Sequence, residues 1–320
     1  MTRSTSARRG ATSSPTASQS AASRSGAIPS SADVTASSAA MGREYYAAGV
    51  AAIPSPPARP MDTSRLSVAA LSLSTDLRTA LRRARDLGVR GIELDARQGL
   101  DPAQVTGTGL RQIRKWLGDE GIVVSAVSFR TRGGYADPER LEGRIAATKA
   151  ALELAHALGA GIVLNHVGDI PPESEGPQWQ LLVDVLTDLG GWGQRVGAML
   201  CAESGRAAPA DLLRLLAALP EGTLTCDIVT GALVVHGHDP VAAVESLATH
   251  VASAHVTDAV AGAFAGRGRA VILGTGDVDV AAVLAALEER GYRGWIGLEP
   301  VEDRAAEAEL AAAISSLRAL

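Results

Sequence analysis

From residue 65 onward one unit recurs eight times: a short apolar, β-branched run, then a longer stretch with helical periodicity. The runs are SVAALSL (67–73), GIELDA (91–96), IVVSAVSF (122–129), GIVLNHV (161–167), AMLCAES (198–204), TLTCDIV (223–229), VASAHVT (251–257) and WIGLEP (295–300). Runs of this length suit buried strands, and the intervening segments suit amphipathic helices. DLRTALRRARDLG stops at Gly88. ADPERLEGRIAATKAALELAHALG is read with Asp137 as N-cap, Pro138 at the first helical position and Gly159 as its end. DVDVAAVLAALEERG and EDRAAEAELAAAISSLRAL carry the same apolar stripe. Eight strand–helix units in about 255 residues predict an α/β chain of the (β/α)8 TIM-barrel class. A doubly wound open sheet is the alternative. It has about five to seven strands in most cases, and no Gly-rich phosphate fingerprint follows the first strand here.

The first 60 residues differ in kind. They are rich in Ser, Ala, Thr and Pro, with six arginines against the acids Asp33 and Glu44. Such a segment buries too little apolar surface to offset its ordering entropy, so residues 1–62 are expected to be a disordered low-complexity tail, and 63–320 the barrel. No apolar stretch follows Arg8-Arg9, so a twin-arginine signal fits poorly. A solvated tail, or a start at Met41 or Met61, accounts for the composition equally well. Without those 60 residues the charge falls from −5 to −9, with 24 basic and 33 acidic side chains. An acidic body is a poor partner for a phosphate backbone, so no nucleic-acid partner is expected. No apolar run reaches the roughly 18 residues of a membrane span, and a cytoplasmic protein is expected.

In such a barrel the active groups stand at the C-terminal ends of the strands. The last four strand runs end in Glu203, Asp227, His255 and Glu299, each among apolar neighbours. Inward side chains alternate along a strand, and these strands are consecutive, so the four groups should converge on one side of the mouth. Three carboxylates in one place repel one another and are costly to desolvate. A divalent cation relieves both costs, and an oxygen-rich shell with one imidazole suits Mn²⁺ best, with Mg²⁺, Co²⁺ or Zn²⁺ as alternatives. Alternation also places Cys201 inward with Glu203 and Cys226 outward beside Asp227, so no disulfide is expected between them.

GVRGIELDAR (88–97), LGAGIVLNHVG (158–168), Glu203, Asp227, SAHVTDA (253–259) and LGTGDVDVAAVLAALEERGYRGWIGLEP (273–300) resemble the xylose isomerase-like TIM-barrel superfamily. This is the sugar phosphate isomerase/epimerase group, which also includes AP endonucleases. The resemblance runs from about residue 65 to 320 and is most specific in the closing Leu-Gly-x-Gly, helix, Gly-Tyr-x-Gly, strand, Glu pattern. It implies one divalent metal on Glu203, Asp227, His255 and Glu299, with Glu203 and Glu299 also acting as acid and base. The implied chemistry is enolisation: a proton leaves the carbon beside a carbonyl, and one returns to the opposite face or to the neighbouring carbon. Glu93 is a usual residue of strand 2 in this group, structural or near the substrate.

Further candidates for the substrate are His166, Thr230, Asp258, Arg267, Arg269 and Trp179. Of Asn165 and His166 only one can face inward, and His166 is the choice. Asp258 either orients His255 or caps the next segment. Arg267 and Arg269 either hold a substrate hydroxyl or phosphate or belong to a solvated loop. Trp179 either stacks on a sugar or packs in a core. Thr230 stands where relatives commonly place a histidine, and a hydroxyl cannot supply the same proton relay. The expected function is a metal-dependent isomerase or epimerase of a small sugar or sugar-derived ketone, acting through an enediolate. A non-catalytic sugar-binding barrel and an inosose-type dehydratase are the alternatives. A DNA-repair phosphodiesterase needs several further histidines, yet the chain has six and none precedes His156. Relatives are often oligomers, and the resemblance carries a homo-oligomer over as an expectation.

Overall fold

A computed structural model of the chain describes residues 63–302 and 306–320; the expected tail at 1–62 lies outside the described residues. The strands are β1 (Leu66–Ala69), β2 (Gly91–Asp95), β3 (Val123–Ser128), β4 (Ile162–Asn165), β5 (Met199–Glu203), β6 (Leu224–Val229), β7 (Val251–His255), β8 (Asp258–Val260), β9 (Arg269–Val271) and β10 (Trp295–Leu298). Eight of them close in the order β1-β10-β7-β6-β5-β4-β3-β2, and β8 and β9 form a separate two-stranded sheet. All pairings within the barrel are parallel. This is the (β/α)8 barrel that the recurring unit predicts.

The boundaries follow local chemistry. The helix Leu77–Asp86 is capped by the Asp76 carboxylate, which accepts from the Thr79 amide, and the helix Val280–Glu289 is capped in the same way by Asp279. Two readings need correction. The first strand ends at Ala69, and Ala70–Leu73 forms one helical turn instead of continuing it. The helix expected to start at Pro138 starts at Leu141, after Arg140 in the left-handed region at φ 53°. Asp137 accepts from the Glu139 amide, and Arg144 donates to the carbonyls of Asp137 and Glu139, so the segment 137–140 is held as a turn.

Two apolar layers result. Outward strand residues and inward helix faces make the large core, with Leu152, Leu186, Leu200 and Leu212 fully buried. Each such leucine contributes roughly 1.5–3 kcal/mol by leaving water. Inside the barrel, Ala126, Leu164 and Cys201 form a separate small cluster, with Ile162 and Ala252 against it. Cys226 lies in the outer core, so the two cysteines are buried, free and on opposite faces, as alternation requires.

Candidate active site

The inward positions beyond that small cluster are charged. Glu203 pairs in register with Asp227, and Gly297 with His255. Glu93 lies on β2 at a register shift against β3, between the outward Ile92 and Leu94. Such an irregularity re-aims a side chain. Arg130 follows the end of β3 by two residues, and its carbonyl accepts from the Arg97 guanidinium at 2.7 Å.

From there the Arg130 side chain crosses the mouth. Its Nε donates to Glu203 Oε1 at 2.6 Å, one Nη to Glu299 Oε1 at 3.2 Å, and the other lies 3.5 Å from Glu93 Oε1. His166 Nδ1 meets the other oxygen of Glu203 at 2.9 Å. His255 is buried between two carboxylates, with Nδ1 2.7 Å from Asp227 Oδ2 and Nε2 3.0 Å from Glu93 Oε2. Gly297 makes room for this ring, because a Cβ there would lie 2.4 Å from His255 Cδ2.

Burial alone would raise the carboxylates and lower the histidine. Burial does push Glu93 up, but His255 and then Arg130 outweigh it and hold its pKa at about 2. Glu203 likewise ends below the ordinary range, through His166 and Arg130. Glu299 ends above it, because burial and the negative charges of Glu93 and Glu203 outweigh His255 and Arg130. Burial disfavours a charge on His255, yet Asp227 and Glu93 hold its pKa well above the ordinary value. Each ring nitrogen of His255 thus faces a carboxylate oxygen.

The donor set fits a divalent cation. Ligand atoms of Glu93, His255 and Glu299 all lie within 4.8 Å of one another. Asp227 Oδ1 is buried without any hydrogen-bond partner. An unsatisfied buried carboxylate oxygen is costly, and a cation is one way to satisfy it. Hard oxygen donors with one imidazole suit Mg²⁺ or Mn²⁺.

A cavity of about 650 Å³ opens beside this network, lined by Thr131, Gly134, His166, Gly168, Glu203 and Arg206 among others. Gly168 is needed at its wall. Its φ is +94°, and a Cβ there would lie 2.1 Å from Gly134 Cα.

Of the residues singled out from the sequence, Glu203, Asp227, His255, Glu299 and His166 join one network. The donor cluster itself pairs His255 and Glu299 with Glu93, not with Glu203 or Asp227. The other residues lie elsewhere. Thr230 is buried; its hydroxyl donates to the Thr257 carbonyl and accepts from the Thr257 amide at 2.9 Å. Asp258 accepts from the amides of Ala259, Gly274, Gly276 and Val278, so its carboxylate organises the loop before the next helix. Arg267 and Arg269 are exposed. Trp179 is buried in the helix Pro177–Val196, with the Arg214 guanidinium 4.7 Å from its ring. Asn165 turns away from the mouth and donates to the Phe129 carbonyl at 2.6 Å. Sequence reasoning missed Arg130. The available signal was a basic residue just beyond the apolar run IVVSAVSF, at a strand end like the others.

The chain belongs to the xylose isomerase-like TIM-barrel family, whose description matches residues 81–320. Among solved structures, a xylose isomerase domain protein from Planctomyces limnophilus is 25% identical, with a TM-score of 0.70 over 79% of this chain and 94% of the other. A xylose isomerase-like TIM-barrel protein from Mycobacterium smegmatis, solved in complex with magnesium, is 18% identical (TM-score 0.65, 80% of this chain and 97% of the other). D-psicose 3-epimerase from Clostridium cellulolyticum H10, solved with D-tagatose, is 12% identical (TM-score 0.65, 80% and 98%). No curated protein matches the chain in sequence. No described helix is long and apolar enough to cross a membrane.

Proposed function

We propose that this protein is a metal-dependent isomerase or epimerase of a small sugar or sugar-derived ketone. The observation that carries the proposal is the meeting of Glu93, Glu203, Asp227, Glu299 and His255 at the same end of one barrel. Glu93, His255 and Glu299 would hold the ion, and the family resemblance implies Glu203 and Asp227 as further ligands beside His255 and Glu299. A divalent ion there supplies polarisation of a substrate carbonyl and acidifies the neighbouring C–H. Glu203 and Glu299 would serve as the proton-transfer pair. Both carboxylates lie within reach of the one Arg130 guanidinium, Glu203 through Nε and Glu299 through Nη, which brings the two together at the mouth. One removes the proton to give the enediolate, and the other returns one. His166 donates to Glu203 from the cavity side and orients it. Membership of the family, and neighbours such as the D-psicose 3-epimerase, support this reading.

The test is exchange of the proton α to the carbonyl in D₂O, with Mn²⁺ and a panel of small ketoses. We expect exchange with at least one ketose, and a loss of about 10³-fold in Glu299→Gln. Bound metal without exchange on any ketose of a broad panel would instead mark a sugar-binding barrel without turnover.

A further inference from the structure

We propose that Arg130 is an internal competitor of the metal: its guanidinium neutralises the cluster in the metal-free protein and yields Glu93 and Glu299 when a divalent ion binds. This rests on the metal-dependent reading above. The first argument is shared atoms. Glu93 and Glu299 belong to the group whose donors lie within 4.8 Å, and both pair with Arg130 through Oε1. A guanidinium and a divalent ion would claim the same lone pairs, and two cations so close repel each other.

The second argument is the unequal grip of the guanidinium. It lies 2.6 Å from Glu203, which is outside the donor group, but 3.2 and 3.5 Å from Glu299 and Glu93, which are inside it. The looser contacts are the ones that an ion must replace. Glu203 can remain the pivot on which the side chain turns.

The third argument is room. The Arg130 backbone is pinned by Arg97, while its side chain is one-third exposed. The cavity lined by Thr131, His166 and Glu203 adjoins it. The freed guanidinium therefore turns towards the space where the substrate would sit while it keeps its hold on Glu203, which makes Arg130 a positioning residue for Glu203.

The experiment is calorimetric titration of Mn²⁺ into the chelator-treated full-length chain, for wild type, Arg130→Gln and Arg130→Lys, with thermal unfolding measured with and without Mn²⁺. We expect Arg130→Gln to bind Mn²⁺ about tenfold more tightly than wild type, and to gain more thermal stability on loading. Arg130→Lys keeps the charge but not the planar fork, and should fall between them. Equal or weaker binding by Arg130→Gln overturns the proposal and leaves the metal-dependent reading standing. If neither wild type nor variant binds Mn²⁺, the metal reading itself is overturned. If Arg130→Gln does not fold even with Mn²⁺, Arg130→Lys decides: tighter binding than wild type supports the competition, and equal or weaker binding overturns it.

Discussion

Cys201 and Glu203 stand on the same inward face of β5, two residues apart, in surroundings of opposite kind. Cys201 sits in a dry cluster with Ala126 and Leu164, and burial pushes its thiol well above the ordinary range. Glu203 sits among Arg130 and His166, which hold its carboxylate below the ordinary range despite burial. On β7, Ala252 lies against the inner cluster, and His255, three residues on, ends the strand among carboxylates. The lower layer is stabilised by exclusion of water and needs only size. The upper layer concentrates carboxylates and needs cations in the right places. A barrel keeps these layers apart because alternate residues of each strand face inward at successive heights.

Substitutions in the two layers should therefore differ in kind. The largest effect on stability is expected for His255→Leu, which leaves Asp227 buried and unpaired and Glu93 with only its longer contact to Arg130. The metal-free protein should lose about 4 kcal/mol, read by urea unfolding, because the remaining charges lose their partner. A loss below about 1 kcal/mol would show that water enters and that the upper layer is not dry.

Acid should strike the upper layer next. The folded-state pKa of Glu93 is about 2, against an ordinary 4.5. Its stabilising contribution is thus complete above its ordinary value and is lost as the pH falls towards 2, an effect on the order of 3 kcal/mol. Unfolding of the metal-free protein between roughly pH 6 and pH 2 should show this limb, and Glu93→Gln should flatten it. An unchanged slope in the variant would place the acid sensitivity elsewhere.

The smallest effect belongs to the lower layer. Cys201→Ala should cost about 1 kcal/mol, because one buried sulfur is lost and the cavity is small. Its Mn²⁺ affinity should stay within about twofold of wild type, since the layer carries no charge that the ion would feel. A larger change in affinity would show that the two layers are mechanically coupled.

Much of this was legible in the chain itself. The recurring strand–helix unit determines the barrel, because each apolar run needs a helix to cover its outer face. The strand-end rule singles out Glu203, Asp227, His255 and Glu299 without any knowledge of contacts, and alternation alone separates Cys201 from Cys226.

Only the tertiary structure decided which groups share a partner. Arg130 and Glu299 are 169 positions apart, and Glu93 and His255 are 162 apart, so no local pattern could pair them. Thr230 and Asp258 have the residue types of a substrate site, yet the backbone of the β7–β8 region takes up the Thr230 hydroxyl and the loop before the next helix takes up Asp258. Polar side chains bond to whichever buried donor or acceptor lies nearest, and closure of the barrel decides which is nearest. The sequence by itself determined that Glu203, Asp227, His255 and Glu299 stand at strand ends; the fold decided that one arginine, two strands away from the nearest of them, stands among Glu93, Glu203 and Glu299.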